Sequence, residues 1–281
     1  MNAAANIGFM QGRLSPLVDG RIQAFPWDTW QQEFAIAAAH GFRLLEWTLD
    51  QDRLYENPLL TTSGQAQIRA LCRRHDFAIP SLTGDCFMQA PFWKARGVDR
   101  DAGESDFLAI AKACAAVGIS KMVVPLVDNG RIDGPAQEDA LVAFLESHVG
   151  YLTEHAVQVA FECDFAPPAL ARFIGRLEPS VFGINYDIGN SAALGFDPTE
   201  EIAAYGRRII NVHVKDRLLG GTTVPLGTGN ADFEIAFGAL AQVEYSGTYI
   251  LQTARATDGN HVEVLCRYRD MTADWLSSRA T

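Results

Sequence analysis

The chain has 281 residues, 48% hydrophobic and 20% charged, the composition of a globular protein with a large core. Thirty-four acidic residues against 23 basic ones leave a net charge of −11, which repels phosphate backbones and argues against nucleic acid as a partner. A small anionic substrate is not excluded, because a basic pocket can sit inside an acidic surface. Cys72, Cys86, Cys114, Cys163 and Cys266 are odd in number and none forms a CxxC pair, which fits a reducing cytoplasm better than a disulfide framework. Residues 1–6 lack the basic-then-apolar pattern of a secretory leader, and no apolar run is long enough to cross a bilayer. The expectation is a cytoplasmic protein with no membrane contact.

In chain order the pattern alternates strand and helix about eight times. Residues 7–11 read as a strand, 29–40 as an amphipathic helix closed by Gly41, and 43–49 as the second strand. A helix over 63–75, a strand over 78–83 and a helix over 104–117 stopped by Gly118 follow. Strand four is 121–127, and a long helix over 135–155 carries Pro135 in its first turn. Strand five is 157–164, with a short helix from 168 to 176; strand six is 182–189. Asp197, Pro198 and Glu200 form a helix start with a capping carboxylate. Strand seven is 209–216, its helix 232–242; strand eight is 248–253, and the last helix spans 262–277. Strict alternation implies parallel strands with right-handed crossovers, and eight units in this length predict a closed (β/α)8 TIM barrel occupying residues 1–281 as a single domain. The rival is an open doubly wound sheet. It would usually carry a Gly-rich phosphate loop after its first strand, which Gln11-Gly12-Arg13 is not.

Four late runs, 157–164, 182–189, 209–216 and 248–255, each place one metal-competent side chain in the same phase: Glu162, Asp187, His213 and Gln252. Their neighbours, such as Phe161 and Cys163, Tyr186 and Ile188, Val212 and Val214, are apolar, so alternation sends the polar set to another face. Taken singly, Asp187 or His213 reads as a structural hydrogen bonder. Four in register at strand ends, where barrel enzymes keep their chemistry, read as one divalent-metal site. Mixed oxygen and nitrogen ligation suits Mn²⁺, Co²⁺, Mg²⁺, Fe²⁺ or Zn²⁺ without choosing among them.

The strand end at Phe161-Glu162, the stretch Tyr186-Asp187-Ile188-Gly189-Asn190, the stretch Asn211-Val212-His213-Val214-Lys215-Asp216 and the loop from Gly227 to Phe233 together resemble the sugar phosphate isomerase/epimerase group with the xylose isomerase-like barrel. The similarity runs over most of the chain and is strongest from Val157 onward. It implies a metal held from strands five to eight and chemistry on a ketose, a ketose phosphate or a related keto-polyol. In that family's 3-epimerases, strands five and eight each supply a glutamate on opposite faces of the substrate, one removing the proton next to the carbonyl and the other returning it. Glu162 matches the strand-five acid, and Asp187 and His213 match the middle ligands. Gln252 stands where the second glutamate belongs and has no titratable proton near neutral pH.

Three consequences stay open. Another residue can supply the second proton, with Lys215, Glu46 and Asp85 as candidates. Glu162 alone can serve an aldose–ketose isomerisation on one face. Or the barrel has become a catalytically silent sugar binder. Further substrate-binding candidates are Asn190, Arg217 and Arg255, with Arg13 as a weaker anion site. Phe87, Met88, Phe92 and Trp93, with Phe25 and Trp27, read either as loop packing or as an apolar cover excluding water. Gly227 and Gly229 read first as a turn. The same barrel also resembles the apurinic endonuclease group, but only His213 among the histidines falls at a strand end, and the acidic charge opposes DNA. The expected partner is a small sugar or sugar phosphate, with homo-oligomers common in such barrels.

Overall fold

The computed structural model describes residues 6–278. Residues 1–5, which carry most of the segment read for a leader, lie outside the described residues. Eight parallel strands close into a barrel: β1 (Ile7–Met10), β2 (Leu44–Thr48), β3 (Ala78–Thr83), β4 (Lys121–Leu126), β5 (Gln158–Cys163), β6 (Phe182–Asp187), β7 (Ile209–Val214) and, as the eighth wall, β10 (Thr248–Leu251). β1 pairs with both β2 and β10, so the ring has no free edge. β8 (Asp216–Arg217) and β9 (Thr223–Val224) form an unexpected antiparallel ribbon at the mouth.

The helices are α1 (Trp30–Ala39), α2 (Thr62–His75), α3 (Asp85–Gln89), α4 (Val98–Val117), α5 (Pro135–Ser147), α6 (Val149–Glu154), α7 (Pro167–Ile174), α8 (Ile188–Leu194), α9 (Pro198–Tyr205), α10 (Phe233–Gln242) and α11 (His261–Ser277). No helix among the described residues is long and apolar enough to cross a membrane. The apolar phase of the strands meets this outer layer: Phe161 packs against Phe173 on α7, for example, and Tyr249 against Phe237 on α10. Cys72, Cys86, Cys114, Cys163 and Cys266 are unpaired thiols.

Three boundaries moved for identifiable reasons. The helix read over 135–155 breaks at His148, whose Nδ1 turns back to the Phe144 carbonyl at 2.8 Å and whose backbone ends α5. α4 begins at Val98, with Asp99 and Asp101 favouring its positive N-terminus. β6 stops at Asp187 instead of continuing to 189, because the Asp187 side chain caps α8, accepting from the Asn190 backbone N–H at 2.8 Å.

The aromatic cover does not form. Phe87, Phe92 and Trp93 are buried and pack with Phe107 and Phe144 between helices, and Phe25 packs against Trp30 and Trp47. Met88 alone of those residues lines the central cavity. The reading of Gly227 and Gly229 as a turn holds: their backbone N–H groups donate to Asp216 Oδ2 at 2.9 and 2.8 Å, tying the loop to the end of β7.

Candidate active site

The C-terminal ends of the strands open into a cavity of about 570 Å³ lined in part by Asp85, Glu162, Asn190, Lys215, Arg217 and Gln252. At its base, Glu162, Asp187 and His213 come from three successive strands, all buried, and each offers a ligand atom within 4.8 Å of the others'. Adjacent parallel strands put these positions side by side; Asp187 on β6 pairs directly with His213 on β7.

The imidazole has a defined orientation. His213 Nε2 lies 2.7 Å from Glu46 Oε1, while Nδ1 faces Glu162 Oε2 at 3.1 Å and Asp187 Oδ2 at 3.8 Å. Glu46 is itself held by Ser81 Oγ at 2.6 Å and Asn211 Nδ2 at 3.0 Å. Such a carboxylate fixes the ring and turns Nδ1 toward the two carboxylates and the Asn185 amide nitrogen, 3.0 Å away. Burial works against a charged imidazole, yet Glu46, Asp187 and Glu162 outweigh it and hold His213 well above its ordinary value. Burial likewise opposes ionised Asp187, but Lys215 and His213 prevail and hold that carboxyl below the usual range.

These residues fit a divalent cation. The donor set mixes carboxylate oxygen with imidazole nitrogen. Asp187 Oδ2 is sealed from solvent without a well-aligned hydrogen bond, although Lys215 Nζ stands 2.8 Å away as an ion pair. A buried carboxylate oxygen without a well-aligned hydrogen bond, beside a second carboxylate and an imidazole, suits positive charge beyond that of Lys215.

Lys215 reaches across from Asp187 to Gln252, donating to Oε1 at 2.8 Å. The close approach is possible because residue 189 is glycine: a Cβ there would lie 2.8 Å from Lys215 Cγ. Gln252 lines the cavity with its carbonyl oxygen turned to Lys215 and its amide donating to Gln23 at 2.9 Å. Asn190 donates to Glu162 Oε1 at 2.6 Å and accepts from Arg217 Nη1 at 2.8 Å, so both lie at the site.

Three expected substrate contacts are corrected by the structure. Glu46 is fully buried and does not line the cavity; it orients His213. Arg13 spends its guanidinium on the Thr253 carbonyl at 2.9 Å, the Ile22 carbonyl at 3.1 Å and Gln23 Oε1 at 3.3 Å. Arg255 grips the carbonyls of Ile22, Ser15 and Gly12. Both arginines staple the loop after β1 to the end of β10, and neither lines the cavity.

Sequence reasoning missed the amides Asn185 and Asn211. Asn185 Nδ2 donates to Glu162 Oε2 at 2.8 Å, and its Oδ1 accepts from Asn211 Nδ2 at 2.8 Å. Each precedes Asp187 or His213 by two residues, so alternation itself puts it on the inner face. Gln23 was also missed, and its place in a loop offered no periodic signal.

The sequence profile described as xylose isomerase-like TIM barrel matches residues 34–269. Curated L-ribulose-5-phosphate 3-epimerases named UlaE are 35% identical. For that of Salmonella paratyphi A the match covers 99 residues, 35% of this chain and 34% of the relative's length; for that of Salmonella heidelberg it covers 265 residues and 90% of each chain. Among solved structures, the IolI protein with a bound zinc atom has a TM-score of 0.76 at 16% identity, covering 98% of this chain and 99% of its own. A xylose isomerase-like TIM barrel protein from Mycobacterium smegmatis in complex with magnesium has a TM-score of 0.73 at 16% identity, covering 100% of both. The chain belongs to the xylose isomerase-like TIM barrel family.

Proposed function

We propose that this protein is a divalent-metal-dependent isomerase or epimerase acting on a ketose or ketose phosphate through an enediolate. The observation that carries the reading is the convergence of Glu162, Asp187 and His213 at the base of a sugar-sized cavity, with Glu162 also lining it. Those three residues would hold the metal, with Gln252 a fourth donor once its carbonyl leaves Lys215. When bound, the cation polarises the substrate carbonyl and lowers the cost of the oxyanion beside it.

The protein's own groups do the rest. Glu162 takes the proton from the carbon next to the carbonyl, and the Asn185 and Asn190 amides keep its carboxylate aimed. Lys215, anchored between Asp187 and Gln252, presents a donor to a substrate oxygen. Arg217 reaches the cavity, and Arg131, paired with Asp164, stands at its wall; this supports a substrate with an anionic end.

The test is proton exchange. Metal-loaded enzyme is incubated in D₂O with a panel of 2-ketoses and their phosphates, L-ribulose 5-phosphate first, and followed by ¹H NMR. Deuterium should enter the carbon next to the carbonyl, and Glu162→Gln should slow that entry at least ~100-fold. Binding without exchange across the panel would leave a silent sugar-binding barrel instead.

A further inference from the structure

Inverting a carbon through an enediolate needs a proton taken from one face and another given on the opposite face. Gln252 cannot be the second group, so another residue of the cavity wall must serve that face. Its remaining ionisable residues are Asp85, Asp128, Arg131, Asp164, Lys215 and Arg217. Asp128 is exposed, Asp164 is paired with Arg131 at 2.6 Å, and Lys215 is ion-paired with buried Asp187 at 2.8 Å. Arg217 spends its guanidinium on the Gly221 carbonyl and Asn190 Oδ1.

Asp85 differs from all of these. It follows β3 directly as the first residue of α3, is 7% exposed, and forms no ion pair among the described residues. Its Oδ2 accepts from Gln23 Nε2 at 2.7 Å, while Oδ1 has no hydrogen-bond partner among the described residues and is free to face the cavity. Gln23 is fixed at both ends, because its Oε1 accepts from Gln252 Nε2 at 2.9 Å. One glutamine from the loop after β1 therefore spans the mouth between the eighth strand's Gln252 and the carboxyl beyond β3. The acid absent from the strand-eight position is present one amide away.

We propose that Asp85 is the second proton donor and acceptor of this site, serving the face of the enediolate opposite Glu162. The inference rests on the function proposed above. Glu162 removes the proton, the C–H electron pair becomes the enediolate double bond, and the carbonyl oxygen takes the charge. Asp85 then gives its proton to the same carbon from the other face as the pair returns and the carbonyl re-forms. Glu162 loses its proton to water, Asp85 regains one, and the only net change is inversion. Roles exchange in the reverse direction. Burial, reinforced by Asp50 and Glu162 and opposed by Gln23 and Arg13, pushes the Asp85 carboxyl up to about 7, so both protonation states are present near neutrality.

The experiment separates exchange from inversion, using whichever panel ketose exchanges in the wild type. Asp85→Asn should keep deuterium exchange with retained configuration while epimer formation falls at least ~100-fold, the scale of a lost acid or base. Adding Gln252→Glu to that variant should recover part of the inversion, which a merely structural defect would not allow. Epimer formation unchanged in Asp85→Asn overturns the inference, and so does loss of both processes in a variant that keeps its fold and metal affinity. The wild type gives a second reading that needs no variant: the ratio of inverted to retained product should fall as pH rises through about 7. A ratio flat from about pH 5.5 to 8.5 would overturn the assignment. No exchange in the wild type with any ketose would refute the proposed function itself, which Asp85→Asn results alone cannot do.

Discussion

The late and early halves of the barrel contribute to one site in different ways. β5, β6 and β7 deliver their groups directly: Glu162, Asp187 and His213 stand at or near strand ends and meet one another. The early half works at one remove. Glu46 on β2 never reaches the cavity but sets the His213 ring, and Gln23, from the loop after β1, connects Gln252 to Asp85. Direct groups sit where backbone pairing fixes both spacing and face. Indirect groups depend on a strand's depth in the barrel or on a loop's path. The first kind defines what the site can bind, the second how its groups are aimed and protonated.

The sharpest way to break this comparison is to remove a direct group. Glu162→Gln should cut exchange and turnover by roughly 10²- to 10⁴-fold, the range of a lost general base, measured by NMR in D₂O. A residual rate within about tenfold of wild type would mean that the late strands do not carry the chemistry.

The next effect concerns stability and the early half. An unfolded aspartate ionises near 3.9, whereas buried Asp85 does so at about 7, so the folded state holds its proton longer. Stability from this group is present at low pH and is lost as pH rises through about 7. The neutral amide of Asp85→Asn removes the penalty. At pH 8 the variant should be more stable than wild type by up to about 3–4 kcal/mol, the difference vanishing below about pH 4, measured by urea titration across pH. Glu33, pushed up to about 7 by burial against its bonds to the Gly12 and Leu14 N–H groups, leaves the same slope in both proteins. Equal stability at pH 8 would show that Asp85 ionises like a surface carboxylate.

The same division explains what was legible in the sequence. The eight-fold alternation and the inner phase of Glu162, Asp187 and His213 follow from a period of two, which needs no tertiary knowledge. Glu46 shows that same phase, yet its depth decides between touching substrate and touching His213, and depth depends on barrel stagger. Arg13 and Arg255 looked like anion sites because a loop guanidinium next to a strand end has that reach. In the fold their donors meet the carbonyls of residues 12, 15, 22 and 253, backbone groups that no sequence pattern marks. The ribbon of β8 and β9 was unreadable for a related reason, since two-residue strands carry no periodicity.

A smaller effect tests the indirect group on β2. Glu46→Gln keeps the volume and the packing against Ser81 and Asn211 but weakens the hold on His213 Nε2. Affinity for Mn²⁺, measured calorimetrically, should fall about 10- to 100-fold, as when the outer partner of a ligating histidine is changed. Unchanged affinity would reduce Glu46 to a buried structural acid.

The smallest change is expected where the two halves meet. Gln252→Glu restores a carboxylate to the eighth strand beside Lys215 Nζ, which already stands 2.8 Å from the glutamine oxygen. If that position alone limited inversion, epimer formation would rise steeply, by the hundredfold or more that a positioned acid contributes. With Asp85 already serving that face, the single variant should change epimer formation by less than about threefold, because a second acid on a supplied face adds little. A large gain in Gln252→Glu would place the deficit at the late strand and leave the early half only its role in orientation.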